Sequence, residues 1–144
     1  MKAIELKEKL LAEGCNENNF AVLSRGTGDD ITCLDKKGNE WVIFYCERGR
    51  DSEPFFTFKN EDEACDFFYD YILRQQHWHI VGFFKTESLA IELEDKLKTI
   101  GVKIIRNDIP VFSALNDSRY RVFVVGKDIF KVRKYLGDIQ INYE

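Results

Sequence analysis

His77 and His79 flank Trp78, and alternation along an extended strand would put both imidazoles on one side, a spacing that some metal sites use. No carboxylate or thiol lies within a few residues to complete such a site, so the two rings read as surface or interface groups. Gly26-Thr27-Gly28-Asp29 has the composition of a phosphate-cradling loop. Such loops work by feeding a helix N-terminus, whereas a strand pattern follows here, so a hairpin turn is expected. Ser24, Ser52 and Ser113 lie in no G-x-S-x-G setting, and neither histidine stands beside a cysteine in a nucleophile pattern. The adjacent carboxylates Asp29-Asp30 and Glu61-Asp62-Glu63 belong to a turn and a helix start, whereas hydrolytic pairs come from separate elements facing a cleft. Cys15, Cys33, Cys46 and Cys65 are spaced by 13 residues or more with no C-x-x-C pair, which leaves four reduced thiols. The sequence therefore names no catalytic residue, metal ligand or cofactor, and predicts that the chain is not an enzyme.

The elements that carry these residues are well patterned. A first helix is expected from Lys2 to Glu13, with Ile4, Leu6, Leu10 and Leu11 as its apolar residues and Gly14 to stop it. Phe20 to Arg25, Ile31 to Asp35, Glu40 to Cys46 and Pro54 to Phe58 read as a four-stranded meander. A second helix opens at Asn60 with Glu63 three residues on, and carries Ala64, Phe67, Phe68, Tyr71 and Ile72 on one face. Residues 1–76 thus read as an acidic αββββα lobe.

From His77 the pattern restarts as βαββαβ, so residues 77–144 predict a ferredoxin-like lobe with two helices on one face of an antiparallel sheet. The strands are Trp78 to Phe84, Val102 to Asn107, Arg119 to Val125 and Ile139 to Tyr143. The helices start at Thr86 and Asp128 and stop at Gly101 and Gly137. Alternation assigns His77, His79, Phe83, Arg119, Arg121 and Phe123 to one sheet face and Ile80, Ile104, Val122 and Val124 to the helices. Such a basic and aromatic face suggests RNA binding or ligand sensing as an alternative function. Arg121 and Tyr120, however, stand where RNA-recognition domains need an aromatic and a glycine. The connection Arg74-Gln75-Gln76 holds neither Pro nor Gly, so the α+β lobes are expected to pack together.

Composition sets the partners. Of the 144 residues 44% are hydrophobic, with 12 Phe, 6 Tyr and 2 Trp, which suits a folded chain rather than a disordered one. The opening residues lack the apolar core of a secretory signal and no run approaches a membrane span, so a soluble cytoplasmic protein with no membrane partner is expected. Residues 1–76 hold 10 Lys and Arg against 16 Asp and Glu, while 77–144 hold 11 against 9. An acidic half makes nucleic acid an unlikely ligand and suits a basic protein.

Two resemblances add to this reading. Trp78 to Phe84, Leu89-Ala90, Leu93, Leu97, Gly101 and Tyr120 to Gly126 resemble the SPOR-type repeat in topology. Asn19-Phe20-Ala21-Val22, Gly38-Asn39-Glu40-Trp41, Tyr45-Cys46-Glu47-Arg48-Gly49 and Glu63-Ala64-Cys65 resemble the small α+β immunity proteins of bacterial polymorphic toxin systems, including the LXG type. The second resemblance implies steric neutralisation of a protein toxin, with a basic nuclease domain as the expected partner. The surface expected to meet it gathers Glu47, Asp51, Glu53, Glu61, Asp62 and Asp66, with Tyr45, Arg48 and Phe55 as anchors.

Overall fold

Leucines at positions 6 and 10 put one apolar stripe along the helix Ala3–Ala12 (α1), and both are fully buried. Gly14, with φ of 83°, ends it. The Cys15 amide donates to Leu10 O and the Gly14 amide to Leu11 O, the paired bonds of a Schellman motif, and Cys15 and Leu10 share one core cluster. This computed structural model describes residues 1–24 and 30–143. It divides into two units, Met1–His77 and Trp78–Glu144, each with its own core. The segment Gly26-Thr27-Gly28-Asp29 and Arg25, the expected end of the first strand, lie outside the described residues.

In the first unit the strands are Phe20–Val22 (β1), Ile31–Lys37 (β2), Glu40–Glu47 (β3), Arg50–Asp51 (β4) and Phe56–Phe58 (β5). β2 and β3 pair antiparallel through a turn at Gly38, whose φ is +64°, and Lys37 faces Glu40. The expected meander is corrected at its two ends. β1 runs parallel to β2, with Phe20 opposite Thr32 and Val22 opposite Leu34. A tight hairpin would reverse the chain, but the residues between Val22 and Ile31 span up to about 25 Å, enough to return it to the same starting edge. The expected fourth strand is present as β5, which pairs with the beginning of β3, where Phe58 lies opposite Trp41 and Phe56 opposite Ile43, and a further two-residue strand, β4, forms within the expected turn and pairs with the end of β3.

The helix Glu61–Leu73 (α2) follows, capped by the Asn60 side chain, which accepts from the Glu63 amide at 3.1 Å. Its Ala64, Cys65, Phe68 and Ile72 join Leu6 and Leu10 of α1 and Phe20, Leu34, Trp41 and Ile43 of the sheet in one buried cluster. The alternate strand residues, among them Cys33, Val42 and Phe44, form a second buried cluster on the opposite face.

The second unit comprises Trp78–Phe84 (β6), Glu87–Thr99 (α3), Ile105–Arg106 (β7), Tyr120–Val125 (β8) and Asp128–Leu136 (α4), with sheet order β6-β8-β7. Val122 and Val124 of β8 meet Ala90 and Leu97 of α3 and Ile129 and Val132 of α4, so both helices cover one face. Three expectations change. Val102 belongs to the end of α3, because its amide donates to Leu97 O and the Gly101 amide to Lys98 O, a second Schellman motif, so strand pairing waits until Ile105. Asp128 is the first residue of α4 and not its cap. Its carboxylate accepts from the Lys103 amide at 3.3 Å instead. Ile139 to Tyr143 form no strand. Ile139 packs on the helix-side core and the Tyr143 ring lies 5.1 Å from Phe83, so side chains rather than a ladder hold this segment.

The register also corrects the face assignment. β6 pairs Ile80 with Phe123 but Gly82 with Val122, and the extra residue, Val81, is a bulge. Trp78 and Ile80 therefore share the outer face with Phe123, while His79 lies opposite Val124 on the helix side. After the bulge the phase is restored, and Phe83 faces outward opposite Arg121. Gly82 leaves room for two side chains: a Cβ there would come within 2.7 Å of the end of Leu93 and 2.6 Å of the Phe84 ring.

Candidate functional site

The expected binding residues fall into two groups. Tyr45, Glu47, Arg48 and Asp51 come together at the β3–β4 hairpin, where Glu47 pairs with Arg50 across a turn of Arg48 (φ 51°) and Gly49 (φ 79°). Both central residues have positive φ, as a type I′ turn demands, although Arg48 has a Cβ that this conformation disfavours. With Arg50 and Ser52 they line an open concavity of about 710 Å³. The Ser52 hydroxyl ties its base, accepting from the Tyr45 amide at 2.9 Å and donating to Glu53 O at 2.9 Å. The Tyr45 hydroxyl donates to the Asp30 carboxylate. That bond, together with burial and the nearby negative charges, pushes its pKa up to about 12.

Glu61, Asp62 and Asp66 do not join this group. They lie in the first turns of α2, where Glu61 accepts the Ala3 amide at 2.9 Å and Asp62 lies 3.0 Å from the Met1 ammonium and 3.5 Å from Lys2 Nζ. Asp66 is 3.9 Å from the same ammonium. The hydrogen bond from the ammonium holds the Asp62 carboxyl below the usual range and raises the ammonium in return. These carboxylates satisfy the start of α1, which has no side-chain cap of its own. β5 enters α2 beside Trp41, at the far end of β3 from Glu47, and six strand steps separate the groups by about 20 Å. The acidic surface expected from sequence is thus two patches.

Glu53 lies exposed in the segment between β4 and β5, and Phe55 opens a ring cluster that sequence reasoning reached only at this one residue. Phe55 and Phe56 are edge to face at 5.4 Å, Phe56 lies 4.4 Å and Phe58 5.3 Å from Phe67, and Phe67 stacks on Tyr71 at 6.2 Å. Phe55 and Phe56 remain 41% and 37% exposed. The signal lies in the i, i+4 spacing of Phe67 and Tyr71, which are partly buried against the core formed by Ala64, Cys65, Phe68 and Ile72 and meet the β5 rings at its flank.

His77 is buried, and both ring nitrogens are taken by backbone. Nδ1 accepts from the Asn16 amide at 3.0 Å, and Nε2 is 2.9 Å from Ile72 O, which fixes the Nε2–H tautomer as donor to that carbonyl. It belongs to the first unit, one residue later than the expected boundary, and clamps the loop after α1 to the end of α2. Among the described residues no group of three or more His, Cys, Asp or Glu side chains could hold a metal ion. All four cysteines are buried, and burial raises the thiols of Cys15 and Cys65 to about 11, far from a reactive thiolate.

In the second unit three arginines are engaged. Arg119 is buried, pairs with Asp117 and lies 4.6 Å over the Phe112 ring. Arg121 stacks 5.5 Å over Phe123, whose ring is 5.5 Å from Trp78. Arg106 binds Asp108 through two bonds and Glu94 through a third, which raises its pKa and ties β7 to α3. Among the described residues no helix is long and apolar enough to cross a membrane. No family model, curated protein or solved structure matches the chain.

Proposed function

We propose that the chain acts by binding a basic protein and covering its working surface, as an immunity protein does for a toxin with a nuclease domain. The observation that carries this reading is the placement of charge and rings in residues 51–73. That segment holds seven acidic side chains against a single base, Lys59, together with seven aromatic residues. Glu53, Glu63, Asp66, Asp70, Phe55 and Phe56 are all exposed there. Complementary potential speeds encounter with a cationic partner, and rings supply the desolvated contact that keeps it bound. The open concavity at Tyr45, Glu47, Arg48 and Asp51 adds a second acidic contact region.

Neutralisation on this reading is steric and needs no chemistry from the chain. The resemblance of its first half to immunity proteins of polymorphic toxin systems points the same way. The test is co-expression with the toxin domain encoded beside it. Growth is restored and the two proteins co-purify if the reading holds; continued killing with no recovered complex ends it.

A further inference from the structure

β5 is an edge strand. It pairs with β3 from Trp41–Phe58 to Ile43–Phe56, and among the described residues no strand pairs with its other side. Edges of this kind are ordinarily guarded by shortness, a lysine, a proline or a bulge, and β5, at three residues, is guarded by its length alone. Here the central residue is the exposed Thr57, while Pro54 and Lys59 lie outside the strand at either end. Phe56 and Phe58 point to the α2 side, since both rings contact Phe67, so the open backbone edge runs alongside a ring cluster in which Phe55 and Phe56 are exposed and Phe58, Phe67 and Tyr71 are partly buried against the core. Phe55 and Phe56, held edge to face at 5.4 Å, offer a rigid apolar contact beside that edge. Its border carries three carboxylates against the one base Lys59: Glu53 precedes the strand, and Glu63 and Asp70 are exposed on α2, four residues before and three after Phe67.

We propose that this edge receives an extended segment of the partner protein, apolar at its centre and carrying Lys or Arg at both ends. The partner backbone adds a strand to β5, its apolar side chains lie on Phe55, Phe56, Phe67 and Tyr71, and its basic ends meet the bordering carboxylates. The inference rests on the binding function proposed above and gives it a surface and a mode. It moves the principal contact from the hairpin tip to the β5 edge.

The probe is the acetylated, amidated peptide Lys-Lys-Val-Thr-Val-Thr-Val-Lys-Lys, with Glu replacing every Lys as control, titrated into the isotope-labelled full chain at low salt. Amide shifts are expected at residues 55–58 and along α2. The paired Phe55→Ala and Phe56→Ala substitutions, or Glu63→Lys with Asp70→Lys, weaken binding by at least about 10-fold, and Glu47→Lys at the tip changes it less than about twofold. The unperturbed remainder of the amide spectrum reports that each variant is folded. Equal binding of the Glu peptide, shifts centred on residues 47–52, wild-type affinity in the ring variants, or no shift up to about 1 mM peptide would each overturn the proposal. A toxin neutralised equally well by the ring variants sinks this surface and leaves the function standing. A peptide bound here by a chain that protects no cell sinks the function and leaves the surface.

Discussion

Replacing His77 with Ala removes a clamp whose two ends both lie on backbone. The Asn16 amide loses its acceptor and Ile72 O its donor, in a place where the ring is only 4% exposed. Each lost bond is worth about 1 kcal/mol net, and an orphaned group that water cannot reach costs more, so about 2–4 kcal/mol of stability should go once the cavity is included. Urea denaturation of the full chain measures the loss, and native-state hydrogen exchange at Asn16 locates it. His77→Gln keeps one acceptor and one donor and is expected to recover part of the difference. Zinc is expected to leave the melting temperature unchanged, because neither ring nitrogen is open to it. A loss under about 0.5 kcal/mol with Asn16 still protected, or stabilisation by zinc, would refute the clamp.

Gly82→Ala should cost about 1 kcal/mol in thermal or urea unfolding, since its Cβ would come within 2.7 Å of the end of the Leu93 side chain and 2.6 Å of the end of the Phe84 ring and both must shift; a loss above about 3 kcal/mol would mean that neither side chain can move. Arg48→Asn should stabilise the hairpin by about 0.5–1 kcal/mol, because Asn tolerates the left-handed turn better than Arg, and urea midpoints at constant slope are the check. Tyr45 titrates at about 12 in the fold against an ordinary value of 10.0, so its bond to Asp30 stabilises fully below pH 10 and fades as pH rises toward 12. Absorbance at alkaline pH should show one late tyrosine that disappears in Tyr45→Phe and returns to the ordinary range in Asp30→Asn, whereas all tyrosines titrating together would contradict it.

Local rules carried the reading wherever a residue acts on its own neighbours. Gly14 and Gly101 stop their helices, Asn60 caps α2, and β6 has the limits its apolar run suggested. The α+β class followed from these elements. Where the structure departs, the cause is a partner distant in sequence or one inserted residue. Turn residues between Val22 and Ile31 announce a reversal but not the direction of pairing, so β1 could not be recognised as parallel. The bulge at Val81 flips the three strand residues before it and moves Trp78, His79 and Ile80 to the faces opposite those that alternation assigns. Val102 looked like strand because it is β-branched, yet the helix end claims its amide. At the candidate site, composition located the charge but could not foresee that Asp62 would serve Met1 and Lys2, or that Tyr45 would bind Asp30. The apolar face of α2 was legible: Ala64, Phe68 and Ile72 are fully buried, while Phe67 and Tyr71 lie at its flank, partly buried against the same core, because only packing decides how far each ring is covered.

The central claim is that this chain works through surface complementarity to a basic protein. Titration calorimetry between the full chain and the product of the neighbouring gene tests that claim most directly. The account predicts a one-to-one complex of about nanomolar affinity that weakens as salt is raised. Absence of binding, or turnover of a substrate by the purified chain alone, would contradict it.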